Sequence, residues 1–194
     1  MKVKAPPDGP FVIVDTETTG LHCSEHEILQ IAAVAGEIVD DYAAIYWTYN
    51  QRVIPESLDS ATSHALEVNR YDPVVWEETA VSLYHALPPV IEAIADATFV
   101  GYNASFDLGF LRVGAGLEGL TWREPPRIYD VFRELGKPLS NKRGTSAKLV
   151  VLCDLLGIGT EEAHDALVDV RMTWRLMWLA LKELTGKEVV HEGF

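Results

Sequence analysis

The chain has 194 residues, 48% of them hydrophobic, which fits one globular domain with a substantial core and excludes disordered and fibrous classes. No apolar run approaches the ~18 residues of a spanning helix and none fits the core of a signal peptide, so we expect a soluble, cytoplasmic protein that does not contact membranes. The net charge of −13 at pH 7 argues against general affinity for nucleic acid, because phosphate contacts usually come from Lys and Arg.

The N-terminal third predicts three strands and a short helix. Residues 11–14 (FVIV) are β-branched and aromatic, which indicates a buried central strand. Residues 28–35 and 37–49 predict two further strands, with Gly36 in the turn between them. Residues 55–69 predict a loop that leads into a short helix.

The middle of the chain predicts helices around one short strand. Residues 74–96 have a helical pattern, in which the Pro88-Pro89 pair should start a new helical segment. Residues 98–101 predict a fourth strand, and a helix over residues 105–113 follows it.

The C-terminal third predicts one more strand and two helices. Residues 128–129 are the strand, which follows a double proline. Residues 145–156 have apolar positions at helical spacing, and Gly157 suits the C-terminal cap of that helix. The last helix is predicted over residues 165–184 and should stop at Gly186.

These elements predict the fold class and the domain organisation. Three adjoining strands followed by alternating strands and helices imply an α/β fold with a mixed five-stranded central sheet and helices on both faces. The sequence contains no internal repeat, low-complexity tract or linker, so we expect a single domain over residues 1–194 with its core at about residues 10–185. Cys23 and Cys153 form no framework pattern and should remain reduced thiols.

The first acidic motif, VDTETTG, lies at the end of the first strand. Asp15 and Glu17 are two residues apart, so their side chains project from one face of the strand. Two carboxylates on a buried strand repel each other and are costly to desolvate. A divalent cation that prefers oxygen ligands, such as Mg²⁺ or Mn²⁺, resolves both problems. The alternative is a surface strand end with solvated acids, which the preceding apolar run disfavours.

The second motif, GYNASFD, follows the fourth strand. Asn103 suits the turn, Phe106 should anchor the new helix, and Asp107 falls in its first turn. The helix dipole stabilises a carboxylate at such a position. That stabilisation also accounts for Asp107 without any function, so this motif alone is a weak signal.

The third motif, HDALVD, marks the start of the last helix. Asp165 is predicted to cap the helix, which places His164 just outside it and Asp169 one turn inside. A single His before a helix is most often an ordinary surface residue. We assign Asp165 to capping and not to metal binding.

Together, the three motifs resemble the DEDDh exonucleases in order, spacing and structural context. This family includes the proofreading epsilon subunits of bacterial replicative polymerases, the oligoribonucleases and RNase T. The resemblance spans residues 11–176, and a His five positions before the final Asp distinguishes this branch from relatives with Tyr there. The residues that carry it are Asp15, Glu17, Asp107, His164 and Asp169.

The resemblance implies an RNase H-like fold and a 3′→5′ exonuclease that releases nucleoside monophosphates with two divalent cations, Mg²⁺ or Mn²⁺. Asp15 would bridge the cations, which such sites hold about 3.5–4 Å apart. Glu17 and Asp169 would complete one cation site, and Asp107 would support the other. His164, whose ordinary pKa is about 6.5, would take a proton from the attacking water.

A pocket for the terminal nucleotide should lie next to these residues. Leu21 resembles the apolar wedge that relatives place between the last two bases, although a plain core position is an equally good interpretation. The predicted substrate-binding residues are Thr18, Leu21, Leu66, Asn69, Asn103 and Phe106. Residues 112–148 hold 8 basic and 4 acidic side chains, and could follow the nucleic-acid backbone or simply form a solvated surface.

Two departures from the family, and several alternatives, remain open at this point. Many relatives have His where Tyr102 stands, and Gly or His where Asn69 and Arg70 stand. The expected partner is the 3′ end of single-stranded nucleic acid, DNA in the first place, with RNA left open. The alternatives are an oligoribonuclease-type enzyme, a proofreading or accessory subunit that binds a polymerase, and a structural domain with fortuitous acids. The oligomeric state cannot be read from the sequence.

Overall fold

The computed structural model describes residues 3–161 and 163–193. Within them, six strands form one sheet. The strands are β1 Gly9–Thr18, β2 Ile28–Val39, β3 Tyr42–Arg52, β4 Thr98–Gly101, β5 Arg127–Asp130 and β6 Val190–Glu192. Their order across the sheet is β5-β4-β1-β2-β3-β6. The β1–β2 and β2–β3 pairs are antiparallel, and the β1–β4, β4–β5 and β3–β6 pairs are parallel, so the sheet is mixed.

Helices cover both faces of the sheet. They are α1 Ser63–Val68, α2 Pro73–Thr79, α3 Leu83–Ile94, α4 Ala104–Leu117, α5 Lys137–Arg143, α6 Leu149–Leu155 and α7 Ala166–Thr185. A π-helical turn, Phe132–Gly136, precedes α5. Among the described residues, no helix combines the length and the apolar character that crossing a bilayer requires.

β1 is buried on both faces, which explains its continuous apolar run. Phe11 and Ile13 belong to the core on the α7 side, where the Phe11 ring stacks on Trp174 at 5.4 Å between ring centroids. Val12 and Val14 belong to a second core, which α3 and α4 cover. The two residue sets alternate along the strand because successive side chains point to opposite faces.

The predicted α/β class, mixed sheet and two helical layers are confirmed, and the predicted number of strands is wrong. The sheet has six strands instead of five, because β6 adds to the edge at β3. All three residues of β6 are exposed, so this strand has no apolar pattern that a sequence reading could detect. Cys23 and Cys153 are free thiols, as predicted.

Gly36 does not form a turn. It lies inside β2, next to a register shift between β2 and β3, and the turn falls at Asp40, which has φ 55°. A Cβ atom at Gly36 would lie 2.1 Å from the carbonyl oxygen of Ala44 and 2.5 Å from the Phe11 ring. Gly36 is therefore required because two strands and the Phe11 ring approach one another closely here. A local sequence pattern cannot distinguish such a glycine from one in a turn.

The double proline does not start a new helix either. Pro88 and Pro89 lie within α3, and the helical stretch breaks earlier, between α2 and α3. Both prolines are exposed. The carbonyl groups that they leave without a helical donor can therefore bond to water, and the buried residues of α3, such as Leu87 and Val90, continue the packing.

Helix lengths also differ from the prediction. α4 continues past residue 113 to Leu117, through Gly114, where a Cβ atom would lie 3.1 Å from Leu83. The close packing of α3 on α4 thus uses a glycine that a sequence reading takes as a stop. The helix predicted over residues 145–156 begins only at Leu149, and the helical stretch 132–143 was not predicted.

Candidate active site

The site begins where β1 extends beyond its parallel neighbour. The last register pair of the two strands joins Ile13 to Val100, and β4 ends one residue later, at Gly101. From that point, β1 has β2 on one side and no strand on the other. Asp15 and Glu17 occupy this uncovered end of β1 and are partly buried.

Both carboxyl groups are electrostatically strained. Burial, reinforced by the negative charges of Asp107 and Asp169, raises the pKa of Asp15 well above its usual range. Burial, followed by the charges of the same two residues, raises the pKa of Glu17 to about 8. The causes of both shifts are burial and other carboxylates, so among the described residues no basic side chain offsets the raised pKa values of Asp15 and Glu17.

Asp107 lies near the same end of β1 and belongs to α4, which covers the Val12 and Val14 face of the sheet. α4 starts after Asn103, which has the left-handed φ of 73° that Asn tolerates, and Asp107 is 2% exposed in the first turn. Its Oδ1 accepts hydrogen bonds from the backbone N–H and the hydroxyl of Thr16, both at 2.9 Å. Burial raises the pKa of Asp107 to about 7, although the two Thr16 bonds oppose the rise.

The start of α7 supplies the remaining residues. Asp165 caps the helix, as predicted: its Oδ1 accepts from the N–H groups of Leu167 and Val168 at 3.0 and 3.4 Å. His164 precedes the cap with φ 72°, and its N–H donates to Oδ1 of Asp169 at 3.4 Å. Burial raises the pKa of Asp169 to about 6.

Three of the predicted site residues form a group that could hold a metal ion. One ligand atom from each of Glu17, His164 and Asp169 lies within 4.8 Å of the others. Asp15 and Asp107 are not members of this group. Each is close enough to the other acids for their charges to act on one another, since Asp107 contributes the largest of the charge effects on Asp15.

Burial is the main cause that lowers the pKa of His164 below the ordinary value, followed by the nearby Arg70 and His64 side chains. Arg70 follows α1 with a φ of 49°, and its side chain is exposed. Its influence on His164 places a cation beside the site, at a position that the sequence marked only as a departure from the family.

Gln30 is a buried residue of the site that the sequence analysis missed. It pairs with Glu17 in the β1–β2 register. Its amide nitrogen donates to Asn50 Oδ1 at 2.8 Å and to Asp165 Oδ2 at 3.3 Å, and its amide oxygen accepts from the Ala166 N–H at 3.5 Å. Gln30 therefore ties the N-terminus of α7 to the sheet. A single polar residue in the apolar run of β2 was the available signal.

Two of the predicted pocket residues near the end of β1, Thr18 and Asn69, contact each other. The Thr18 hydroxyl donates to the Gly20 carbonyl at 2.6 Å, and the Asn69 side chain donates to the Thr18 carbonyl at 2.8 Å, which fixes the end of α1 next to β1. Leu66 lies in α1 and is half-buried. Leu21 is 77% exposed, so its interpretation as a core residue is wrong.

The other two predicted pocket residues lie at the start of α4. Asn103 is exposed, and its Oδ1 accepts from the Ser105 hydroxyl at 3.5 Å. Phe106 is half-buried and packs against Phe110, with 4.9 Å between the ring centroids. Asn103 immediately precedes α4, and Phe106 lies in its first turn next to the buried Asp107.

Two cations of the basic segment 112–148, Lys142 and Arg143, are engaged away from this pocket. Arg143 pairs with Glu183 at 2.5 Å, and the Lys142 ammonium donates to the Glu183 carbonyl at 2.6 Å. Glu183 lies fourteen residues after Asp169 on α7, which corresponds to about 20 Å along the helix axis. The solvated-surface interpretation therefore fits these two residues.

Comparison with known proteins decides the family. Residues 12–177 match the family model RNase_T, which describes an exonuclease. The chain belongs to this exonuclease family. It is a DEDDh exonuclease of the DnaQ-like group, on the RNase H-like fold that the sequence predicted.

The relatives include replicative polymerases and a solved nuclease. The PolC-type DNA polymerase III of Halalkalibacterium halodurans is 30% identical over 189 residues, which are 95% of this chain and 12% of the polymerase. That of Thermotoga maritima is 33% identical over 171 residues, 86% of this chain and 11% of the polymerase. E. coli exonuclease I in complex with a dA16 oligonucleotide has the same fold, with a TM-score of 0.78 at 18% identity, over 92% of this chain and 42% of exonuclease I. This exonuclease chain thus spans about a tenth of the polymerases and less than half of exonuclease I.

The residues of this exonuclease fit a divalent cation. Carboxylate oxygens are suitable ligands for Mg²⁺ and Mn²⁺. Burial and the neighbouring carboxylates raise the pKa values of Asp15 and Glu17, so the charged forms of both groups are disfavoured without a cation. A bound cation would favour the deprotonated carboxylates and remove their mutual repulsion.

Proposed function

We propose that this exonuclease removes nucleoside monophosphates from the 3′ end of single-stranded nucleic acid, with DNA as the preferred substrate. One observation carries the proposal: ligand atoms of Glu17, His164 and Asp169 lie within 4.8 Å of one another at the uncovered end of β1. Asp15 precedes Glu17 by two residues on the same face, and Asp107 is bonded to Thr16 between them. This is the arrangement expected of a site for phosphodiester hydrolysis with divalent cations.

Four carboxylates would hold the cations. These would be Asp15, Glu17, Asp107 and Asp169, whose charges act on one another. The bound cations supply Lewis-acid stabilisation of the charge that develops on the phosphodiester and the leaving 3′ oxygen. The Thr16 N–H and hydroxyl hold the Asp107 carboxylate in a single orientation, because both donate to Oδ1.

His164 would act as the proton acceptor for the attacking water. Its lowered pKa favours the neutral imidazole, which can accept a proton at neutral pH. The bond from its backbone N–H to Asp169 and the cap at Asp165 fix its place at the start of α7. Because His164 is exposed, its ring is accessible to solvent and to a bound strand.

The preference for DNA and the choice of partner rest on the relatives. Exonuclease I has the same fold and is known in complex with a dA16 oligonucleotide and with an SSB C-terminal peptide. The PolC-type polymerases contain a region 30% and 33% identical to this chain. We therefore propose DNA as substrate, a polymerase or replication protein as partner, and one exonuclease domain with its core at about residues 10–185. An oligoribonuclease-type activity is the alternative.

End-labelled oligonucleotides test the proposal. Single-stranded DNA and RNA of equal sequence, labelled at the 5′ or the 3′ end, are incubated with the protein and Mg²⁺ or Mn²⁺. We expect mononucleotides from the 3′ end, faster from DNA, with no product in EDTA. Asp15→Asn and Asp169→Asn should abolish release, and His164→Ala should lose most of the turnover while it still binds Mn²⁺. Asp154→Asn, an exposed acid on α6, is the matched control. Shortening from the 5′ end, or full activity in EDTA, would overturn the proposal.

A further inference from the structure

A second cleft lies outside the candidate active site. It is bounded by the loop after β1, the segment after β3, the start of α3 and the end of α4, and its volume is about 600 Å³. We call it the α4 cleft. Residues that represent its four walls are Glu25, Ile54, Tyr84 and Leu117. The volume lies within the range of about 300–1,000 Å³ that ligand pockets usually have.

The interior and the lip of the α4 cleft are apolar. Phe110 forms a buried part of the lining. At the lip, Leu117 is 80% exposed, Tyr84 51% and Ile54 48%. Large apolar side chains that gather around a concave surface, instead of being scattered singly, mark a site of interaction with another molecule.

The rim of the α4 cleft is acidic. Glu25, Glu27, Glu56 and Glu118 belong to its lining, which contains no Lys or Arg. The Glu27 carboxylate is engaged, since it accepts from the N–H groups of Glu56 at 2.6 Å and Ser57 at 3.0 Å. Across residues 3–161 and 163–193, the other three carboxylates form no ion pair or side-chain hydrogen bond. The C-terminal end of α4, with its negative dipole, opens at the same rim.

The loop after β1, one wall of the α4 cleft, is held in place before any partner arrives. The Thr19 N–H donates to the Glu27 carbonyl at 2.8 Å, and the Glu27 N–H donates to the Thr19 hydroxyl at 2.9 Å, which closes the loop on the end of β1. Cys23 packs against Gly109 of α4, where a Cβ atom would lie 3.4 Å from its sulfur. Little ordering is thus required on binding, which favours affinity.

We propose that the α4 cleft binds a basic peptide segment of a partner protein. One or two large apolar side chains of the segment would fill the cleft, and flanking Lys or Arg residues would meet Glu25, Glu56 and Glu118. The charge of the rim decides between classes of partner. A nucleic-acid strand is disfavoured because its phosphates would face three unpaired carboxylates, whereas a cationic peptide gains from the same field.

Selection from a random library of twelve-residue peptides displayed on phage tests the proposal on the whole chain. We expect bound peptides to be enriched in Lys or Arg together with Leu, Phe, Met or Trp. Fluorescence anisotropy with the best synthetic peptide should then show about tenfold weaker binding when the three rim carboxylates are neutralised, since each exposed charge pair contributes modestly. The neutralised variant carries Glu25→Gln, Glu56→Gln and Glu118→Gln, and its charge-matched control carries Glu77→Gln, Glu78→Gln and Asp154→Asn.

The remaining measurements keep the outcome decisive. Leu117→Ser and Tyr84→Ser should each weaken peptide binding at least fivefold, while exonuclease activity and melting temperature stay unchanged in every variant, which shows that the variants fold. The proposal is overturned if no peptide is selected, if the selected peptides are not basic, or if the rim and control variants bind equally. If sedimentation shows dimers that Leu117→Ser abolishes, a second copy of this chain occupies the α4 cleft and the proposal is overturned.

Discussion

Raising the pH from 6 to 8 should strongly increase the affinity of the protein for Mn²⁺. The reason lies in the raised pKa values of the acidic pocket, which are about 8 for Glu17, about 7 for Asp107 and about 6 for Asp169. A carboxyl group must lose its proton before it can bind a cation. In the metal-free protein at pH 6, these groups still hold most of their protons, so the cation has to displace them.

The size of the effect follows from the three pKa values. Binding should release about two protons near pH 6.5 and about one near pH 7.5, and each released proton changes the association constant tenfold per pH unit. The apparent association constant should therefore rise about a hundredfold from pH 6 to pH 7 and about tenfold more from pH 7 to pH 8. Asp15, whose pKa is also raised, adds to the same trend.

Isothermal titration calorimetry in two buffers with different ionisation enthalpies measures both the affinity and the number of protons released. The metal-free protein provides an independent check. Because the pKa values are raised in the folded state, that state holds more protons than the unfolded chain between about pH 4 and pH 8, and the free energy of unfolding should fall as the pH rises through this window. An Mn²⁺ affinity that is constant from pH 6 to pH 8, with no proton release, would refute the shared acidic pocket.

Smaller changes test other parts of the structure. Thr16→Val removes the hydroxyl donor to Asp107, so the pKa of that carboxyl should rise. Calorimetry at pH 7 should then show about tenfold weaker Mn²⁺ binding. Unchanged affinity would contradict the role of this hydrogen bond. Gly36→Ala places a Cβ atom 2.1 Å from a backbone oxygen, and urea unfolding should show a loss of about 1–3 kcal/mol. Gly116→Ala is the control, because nothing lies within 4 Å of its new Cβ atom. Its free energy of unfolding should rise by about 0.5–1 kcal/mol. Equal effects of the two substitutions would disprove the close approach at Gly36. Arg70→Gln should raise KM and should reduce the slope of log KM against log salt concentration by about 0.7, as expected for one lost phosphate contact. An unchanged slope would place Arg70 away from the strand.

The sequence predicted the elements that depend on local patterns. The apolar run before Asp15 indicated the central strand, and the capping residue Asp165 and the stop at Gly186 located the last helix to within two residues. Such signals are local, because they depend on propensity and on hydrogen bonds between near neighbours in the chain. The acidic residues of the site were identified from the resemblance of the three motifs to a known family in order and spacing, because each motif alone is a weak signal.

The errors come from contacts between distant parts of the chain. Gly36 is required by Phe11 and Ala44, so it does not mark a turn, and α4 continues through Gly114, which packs closely against Leu83. The role of Gln30 depends on Asp165, which is 135 residues away. The sequence alone does not show which distant residues contact one another. The ion pairs of the segment 112–148 could not be predicted for the same reason.

The mismatch in length between β1 and β4 has a further consequence. The pocket is space that a short strand leaves open, and the free edge of the longer strand supplies the N–H of Thr16 to Asp107. An insertion that extended β4 by two or three residues would pair with this edge, displace the acid from its donor and fill the cavity with backbone. We therefore expect the length of β4 to vary less among relatives than the length of any surface loop. A duplication of residues at the end of β4 would inactivate the protein without unfolding it.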